Sequence, residues 1–196
     1  MKILGVIVTA LLAWIFLFGV PEYNHLQKLD ENTTAAWSEV LNQYQSRAEL
    51  IPNLVATVKG YAQHEEKVFT EVTNARAKVG SLQISADNIP DEAALKQFNQ
   101  AQGELSSALS RLLVVSENYP QLKADKNFLE LQAQLEGREN RVNLARNRYI
   151  EAVKQFNVAV RSFPNNMIAK FAGLSKKPNF SVENEKEISQ PPKVEF

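Results

Sequence analysis

Three features of this sequence predict an all-α protein: an antiparallel up-and-down four-helix bundle behind an N-terminal transmembrane helix. First, Leu54, Val58, Tyr61, Glu65, Val68, Val72, Ala75 and Val79 recur at alternating spacings of three and four, the stripe of an amphipathic helix. Second, Phe128, Leu135, Val142, Tyr149, Phe156 and Phe163 repeat every seven residues. Leu131, Arg138, Ala145, Ala152 and Ala159 lie between them, and large residues alternating with mostly small ones let helices approach closely. Third, glycine is scarce and scattered, and the periodic segments are of similar length and joined by short connections.

The elements follow in order. Residues 3–20 are almost wholly apolar, with Lys2 before and Pro21-Glu22 after. About 18 apolar residues suffice to cross a bilayer. A cleaved signal peptide is the rival, disfavoured because no small-x-small cleavage site precedes the polar region. Residues 1–22 are therefore expected to be a membrane anchor. Residues 23–50 form the first expected bundle helix, with Leu26, Leu29, Thr33, Ala36, Val40 and Leu50 on one face; Gln43 and Arg47 thin that face. Pro52 is expected to end it and to sit in the first turn of the next helix, residues 52–79. A single long kinked helix through Pro52, in a three-helix arrangement, is the alternative.

Gly80-Ser81 and Ala86-Asp87-Asn88-Ile89-Pro90 bracket a loop. Asp91-Glu92 then open a helix over 91–116, where acidic residues suit the N-terminal dipole. Pro120 disfavours helix at Tyr119, and Asp125 is a candidate N-cap for the longest helix, 125–163. A short apolar piece closes the bundle at residue 174. Residues 175–196 are Lys, Glu, Asn, Ser and Pro with few large apolar side chains, and are expected to be a flexible tail.

Composition excludes several function classes. Lys plus Arg and Asp plus Glu both number 22, so there is no basic field for nucleic acid. No cysteine is present, which excludes disulfides, thiolate metal sites and cysteine nucleophiles. Gly-rich phosphate loops, G-x-S-x-G and H-E-x-x-H are missing from the sequence. Neither a catalytic residue, a cofactor nor a metal is expected. His64-Glu65 is too few ligands, and a di-metal bundle needs Glu-x-x-His on two helices where only Glu22 and His25 have that spacing. Glu65, Glu136 and Glu139 read better as a polar layer that fixes helix register than as an acid–base pair.

That layer is expected to comprise Glu65, Arg138, Glu139, Asn140 and Arg146. Glu65 and Arg138 each lie 13 residues beyond Pro52 and Asp125, so they are level if both connections share one end of the bundle. Glu65 is expected to meet Arg138, or else Arg146 or Asn140.

These residues resemble the LemA family over nearly the whole chain. The similarity is carried by Trp37, by Leu50-Ile51-Pro52-Asn53-Leu54-Val55 and by Gly60-Tyr61-Ala62-x-His64-Glu65. It continues through Tyr119-Pro120-x-Leu122-Lys123-Ala124, Asn127-Phe128-x-x-Leu131-Gln132 and Leu135-Glu136-Gly137-x-Glu139-Asn140. Ala145-Arg146-x-x-Tyr149, Phe163-Pro164 and Pro192-Lys193-Val194-x-Phe196 complete it. Arg138 and Ile150 depart from the pattern. The resemblance implies a membrane-anchored helical bundle of the bacterial envelope and names no reaction.

The functional expectation is a non-enzymatic scaffold or adaptor, single-pass in the bacterial cytoplasmic membrane, with protein partners. A regulator or enzyme of envelope lipid or peptide chemistry is the alternative. Lys2 and the α-amino group before the anchor, against Glu22, Asp30 and Glu31 after it, place the bundle outside the cytoplasm by the positive-inside rule, although the family has also been read the other way. The chain ends Pro191-Pro192-Lys193-Val194-Glu195-Phe196. Val194 and Phe196 point the same way in an extended strand, which suits a partner that adds a peptide tail to a sheet edge and captures its carboxylate. Fold-back of Phe196 onto the bundle is the rival.

Overall fold

A computed structural model describes residues 15–180, with positions 5, 7 and 9 upstream. All regular structure among these residues is helical. A short π-helical turn, Ile15–Gly19, runs directly into α1, Val20–Tyr61. Then follow α2 (Glu66–Ser81), α3 (Glu92–Ser116), the single turn α4 (Pro120–Lys123), α5 (Lys126–Ala159) and α6 (Asn165–Phe171).

The chain does not break at Pro52, as the sequence led us to expect, but ten residues later. α1 passes through Pro52 as one helix. The reason is the buried stripe: Thr33, Trp37, Val40, Tyr44, Arg47, Ile51, Leu54 and Val58 keep alternating spacings of four and three without a slip. Pro52 itself is exposed, so its ring lies off that stripe. A proline in a helix interior leaves the carbonyl four residues earlier without its donor. Here that carbonyl is Ala48 O, and Arg76 Nε of α2 donates to it at 3.4 Å. The reversal falls instead at residues 62–65, where Ala62 N still bonds Val58 O at 2.9 Å.

The resulting helices are unequal. α1 has 42 residues, about 63 Å at 1.5 Å per residue, whereas α2 has 16, about 24 Å. α2 therefore covers only the far half of α1. There α1, α2, α3 and α5 pack as an antiparallel four-helix section around Ile51, Leu54, Val58, Phe69, Val72, Leu105, Leu112, Phe128 and Leu135. Asp91 and Asp125 cap α3 and α5 by accepting from Ala94 N (2.7 Å) and Phe128 N (2.9 Å).

Below this section the α2–α3 loop lies against mid-α1. Trp37 Nε1 donates to Ser85 O at 3.0 Å and Ser38 Oγ to Ala86 O at 2.8 Å. A second apolar layer forms there from Trp37, Tyr44, Leu95, Phe98, Val142 and Tyr149. A third, of Leu26, Phe156, Val160 and Ala169, holds α6 against the near ends of α1 and α5.

Two further expectations change. α5 ends at Ala159, not at 163. Residues 175–180 are not a free tail: they return along α1 and α5, and Phe180 packs against the middle layer. Residues 181–196 lie outside the described residues, as does half of the apolar stretch 3–20. Among the described residues, no helix is long and apolar enough to cross a membrane.

Candidate functional site

The polar centre of the bundle is Arg47. It is 1% exposed, one of the largest fully buried side chains, and reaches from α1 to two other helices. Nη1 donates to Glu139 Oε2 of α5 at 2.6 Å and to Ser106 Oγ of α3 at 3.0 Å; Nη2 donates to Gln102 Oε1 of α3. The guanidinium also stands 5.0 Å from the Tyr44 ring centroid.

The layer sits at a definite level. Arg47 falls between Tyr44 and Ile51, Gln102 between Phe98 and Leu105, and Glu139 between Leu135 and Val142. On all three helices, then, it separates the far apolar layer from the middle one. A shift of one helix by a turn would bury the guanidinium among apolar side chains, at a cost in desolvation. Burial pushes the Tyr44 hydroxyl above its ordinary pKa, opposed by the nearby Arg146 and Arg47 charges.

A second polar assembly joins the returning tail to the two long helices. Lys177 Nζ lies 2.6 Å from Asp30 Oδ1 and donates to the buried Thr33 Oγ1 at 2.9 Å. Asn157 and Lys177 bond reciprocally: Lys177 N donates to Asn157 Oδ1 and Asn157 Nδ2 to Lys177 O, both at 2.8 Å. Tyr149 OH donates to Pro178 O at 2.9 Å, and burial raises the Tyr149 pKa well beyond its usual range, so the hydroxyl remains a donor. Phe180 then lies 5.3 Å from the Tyr149 ring, 6.3 Å from Trp37 and 4.6 Å from the Arg146 guanidinium.

The residues expected to form one polar layer are dispersed. Glu139 belongs to the Arg47 centre, while Arg146 faces Phe180 and the Tyr44 hydroxyl. Asn140 is exposed, and Arg138 makes no ion pair among the described residues. Glu65 meets none of them: it stands in the turn before α2 and accepts from Tyr119 OH at 3.2 Å. Continuing α1 to Tyr61 moved Glu65 from mid-helix to a connection, which breaks the count from Pro52. Arg47 was visible in the sequence only as a thinning of an apolar face. The informative signal was its place in the unbroken stripe. Glu136 is exposed and bonds only within its helix, to Gln132, and His64 is exposed. No group of three or more His, Asp or Glu that could hold a metal occurs among the described residues. Val194 and Phe196 lie outside them.

This chain is similar to the magnetosome proteins MamQ 1 and MamQ 2 of Paramagnetospirillum magneticum, each 24% identical over 174 residues, 81% of this chain. It is also similar to the magnetosome protein MamQ of Magnetospirillum gryphiswaldense, 23% identical over 189 residues, 88% of this chain. The alignments span 64% of the two former proteins, less than two thirds of their length, and 69% of the latter. The LemA family profile matches residues 36–196. That range takes in Trp37, the Arg47 centre and the returning tail alike, and the chain belongs to the LemA family.

Proposed function

We propose that this protein is a non-enzymatic, membrane-anchored scaffold of the bacterial envelope that presents a helical surface and a C-terminal peptide to protein partners. The observation that carries the reading is a groove along α1, lined by Leu41, Tyr44, Ala48, Val79, Leu82 and Ile84 and flanked by the polar Asn42, Gln45, Arg76 and Gln102. It is open and runs along a helix face, the shape an amphipathic partner segment fills. The relatives' names tie them to a cellular structure and not to a reaction, which agrees with this reading.

The anchor is the stretch 3–20, single-pass, with the bundle on the exterior face. Support comes from the helical continuity of Ile15–Gly19 with α1 and from the charge bias around the stretch. The tail residues Val194 and Phe196 are proposed as a second contact, captured as an added strand. The test is photo-crosslinking in intact cells from a reactive side chain at Leu41, with and without residues 194–196. A discrete protein adduct is expected from the full chain, weakened by the deletion if the tail contributes. Absence of any protein adduct from the groove in both forms would remove the scaffold reading. A reporter fused at the C-terminus that is active only in the cytoplasm would reverse the orientation.

A further inference from the structure

The end of the molecule that faces the apolar N-terminal stretch carries a second apolar surface that no helix among the described residues covers. α6 is only seven residues long, yet it has two apolar faces. One is packed: Ala169 is buried, and Ile168 and Leu174 lie against Leu26, Leu29, Phe156 and Val160. The other is bare: Phe171 is 94% exposed, Met167 57%, and Phe163 in the preceding turn 80%. At 100° per residue, Met167 and Phe171 each lie about 160° around the helix from Ala169, so they point straight away from the bundle. Met167 and Phe171 are spaced four apart, which stacks them on one side of α6, and Phe163 stands in the turn before it. Contiguous bulky side chains left this bare on a folded chain mark a surface that something apolar covers.

Position says what covers it. Leu26, against which α6 packs, is six residues above Val20, about 9 Å along α1. Phe16, Leu17, Phe18, Val20 and Tyr23 are themselves 43–71% exposed there, so the bare face of α6 adjoins the exposed apolar start of α1. Arg161 and Lys170 are exposed around the same end, with the acids Glu22, Asp30 and Glu31 nearby, Asp30 being held by Lys177. Basic groups bordering a short apolar face, with aromatic rings at its centre, fit the headgroup–acyl boundary of a bilayer. We infer that α6 is an interfacial foot: it seats Phe163, Met167 and Phe171 in the lipid surface beside the anchor and so fixes the tilt of the bundle. The inference rests on the membrane-anchored reading above.

The chain lacks cysteine, so Phe171→Cys and, separately, Met167→Cys each give a single site for an environment-sensitive fluorophore. Ala10→Cys reports the anchor and Val114→Cys the far end of α3. The full-length protein is reconstituted in vesicles of phosphatidylcholine and phosphatidylglycerol. Probes at 171 and 167 are expected to be blue-shifted, protected from iodide and quenched by lipids spin-labelled at about 5–10 Å depth, unlike the probe at 114. If the probe at 10 is lipid-protected while those at 167 and 171 are fully open to iodide, the foot is wrong and the anchor stands. Protection from iodide without quenching by lipid labels means that a second protein copy covers the face, which also overturns the foot. If the probe at 10 is itself open to iodide, the membrane reading fails and the foot with it.

Discussion

Arg47 on α1 and Glu139 on α5 meet at the seam between two apolar layers, Nη1 2.6 Å from Oε2, the arginine side chain 1% exposed and the glutamate side chain 45%. The pair is lopsided: solvent reaches the carboxylate but not the guanidinium. Losing the two partners should therefore have different costs. Arg47→Ala leaves a cavity and strips Gln102 of a buried donor, and a loss of about 3–5 kcal/mol is expected. Glu139→Gln keeps an acceptor at a wet rim but leaves the buried guanidinium without its counter-charge, and is expected to cost about 1–3 kcal/mol. Urea unfolding of the detergent-solubilised protein distinguishes them; equal losses would mean that Arg47 is not the centre of the layer.

Pro52 offers a test of the continuous α1. Pro52→Ala restores a donor to Ala48 O and removes a helix-interior proline, so the midpoint of thermal unfolding is expected to rise. In that background Arg76→Ala should matter less than in the parent, because Arg76 Nε no longer serves an orphaned carbonyl. Additive effects in the double-mutant cycle would show that the Arg76 contact and Pro52 are unrelated.

The returning tail is expected to shield Trp37. Phe180→Ala deletes ring contacts to Trp37 and Tyr149, each worth roughly 0.5–1.5 kcal/mol, and uncovers the middle layer. In a Trp14→Phe background the Trp37 emission should shift to the red, and acrylamide quenching should increase. Unchanged emission would place the tail off the bundle in solution.

Acid should weaken the start of α5 through Asp125. The Phe128 N–H, then the Tyr61 hydroxyl, hold this carboxyl below its ordinary pKa. A lowered folded-state value means stability that is present above the unfolded pKa and lost as pH falls through the folded one, below about pH 4. Asp125→Asn retains a capping oxygen but does not titrate. Its stability, measured against the parent from pH 6 to pH 2, is expected to fall less steeply; parallel curves would show that Asp125 does not supply the acid sensitivity.

Much of the fold was legible because helix periodicity is a local property. Alternating three-and-four spacing on α1, α2 and α3 and the seven-residue repeat of α5 follow from 3.6 residues per turn, and Asp91 and Asp125 stand where the helices start. The break expected at Pro52 does not form, because the buried stripe of α1 runs through it. Once Leu54 and Val58 are buried with Tyr44 and Ile51, packing outweighs one missing N–H, and Arg76 from another helix answers the free carbonyl.

The polar site was much less legible, for the same reason in reverse. Sequence determined that Arg47, Glu139 and Gln102 exist and on which helical face each lies. Which of them meet depends on where the chain reverses, and moving that reversal from Pro52 to residues 62–65 carried Glu65 out of the core and left Arg47 level with Glu139. The tail shows the same division. Its composition reads as solvated chain, yet Lys177 finds Asp30 and Thr33, Asn157 matches its backbone, and Phe180 finds Trp37 and Arg146. The sequence by itself determined the helical class, the periodic faces and the caps, since these follow from neighbours within one turn. Only the tertiary structure decided the pairing of Arg47 with Glu139 and the docking of 175–180, because those contacts join residues scores of positions apart through the packing of whole helices.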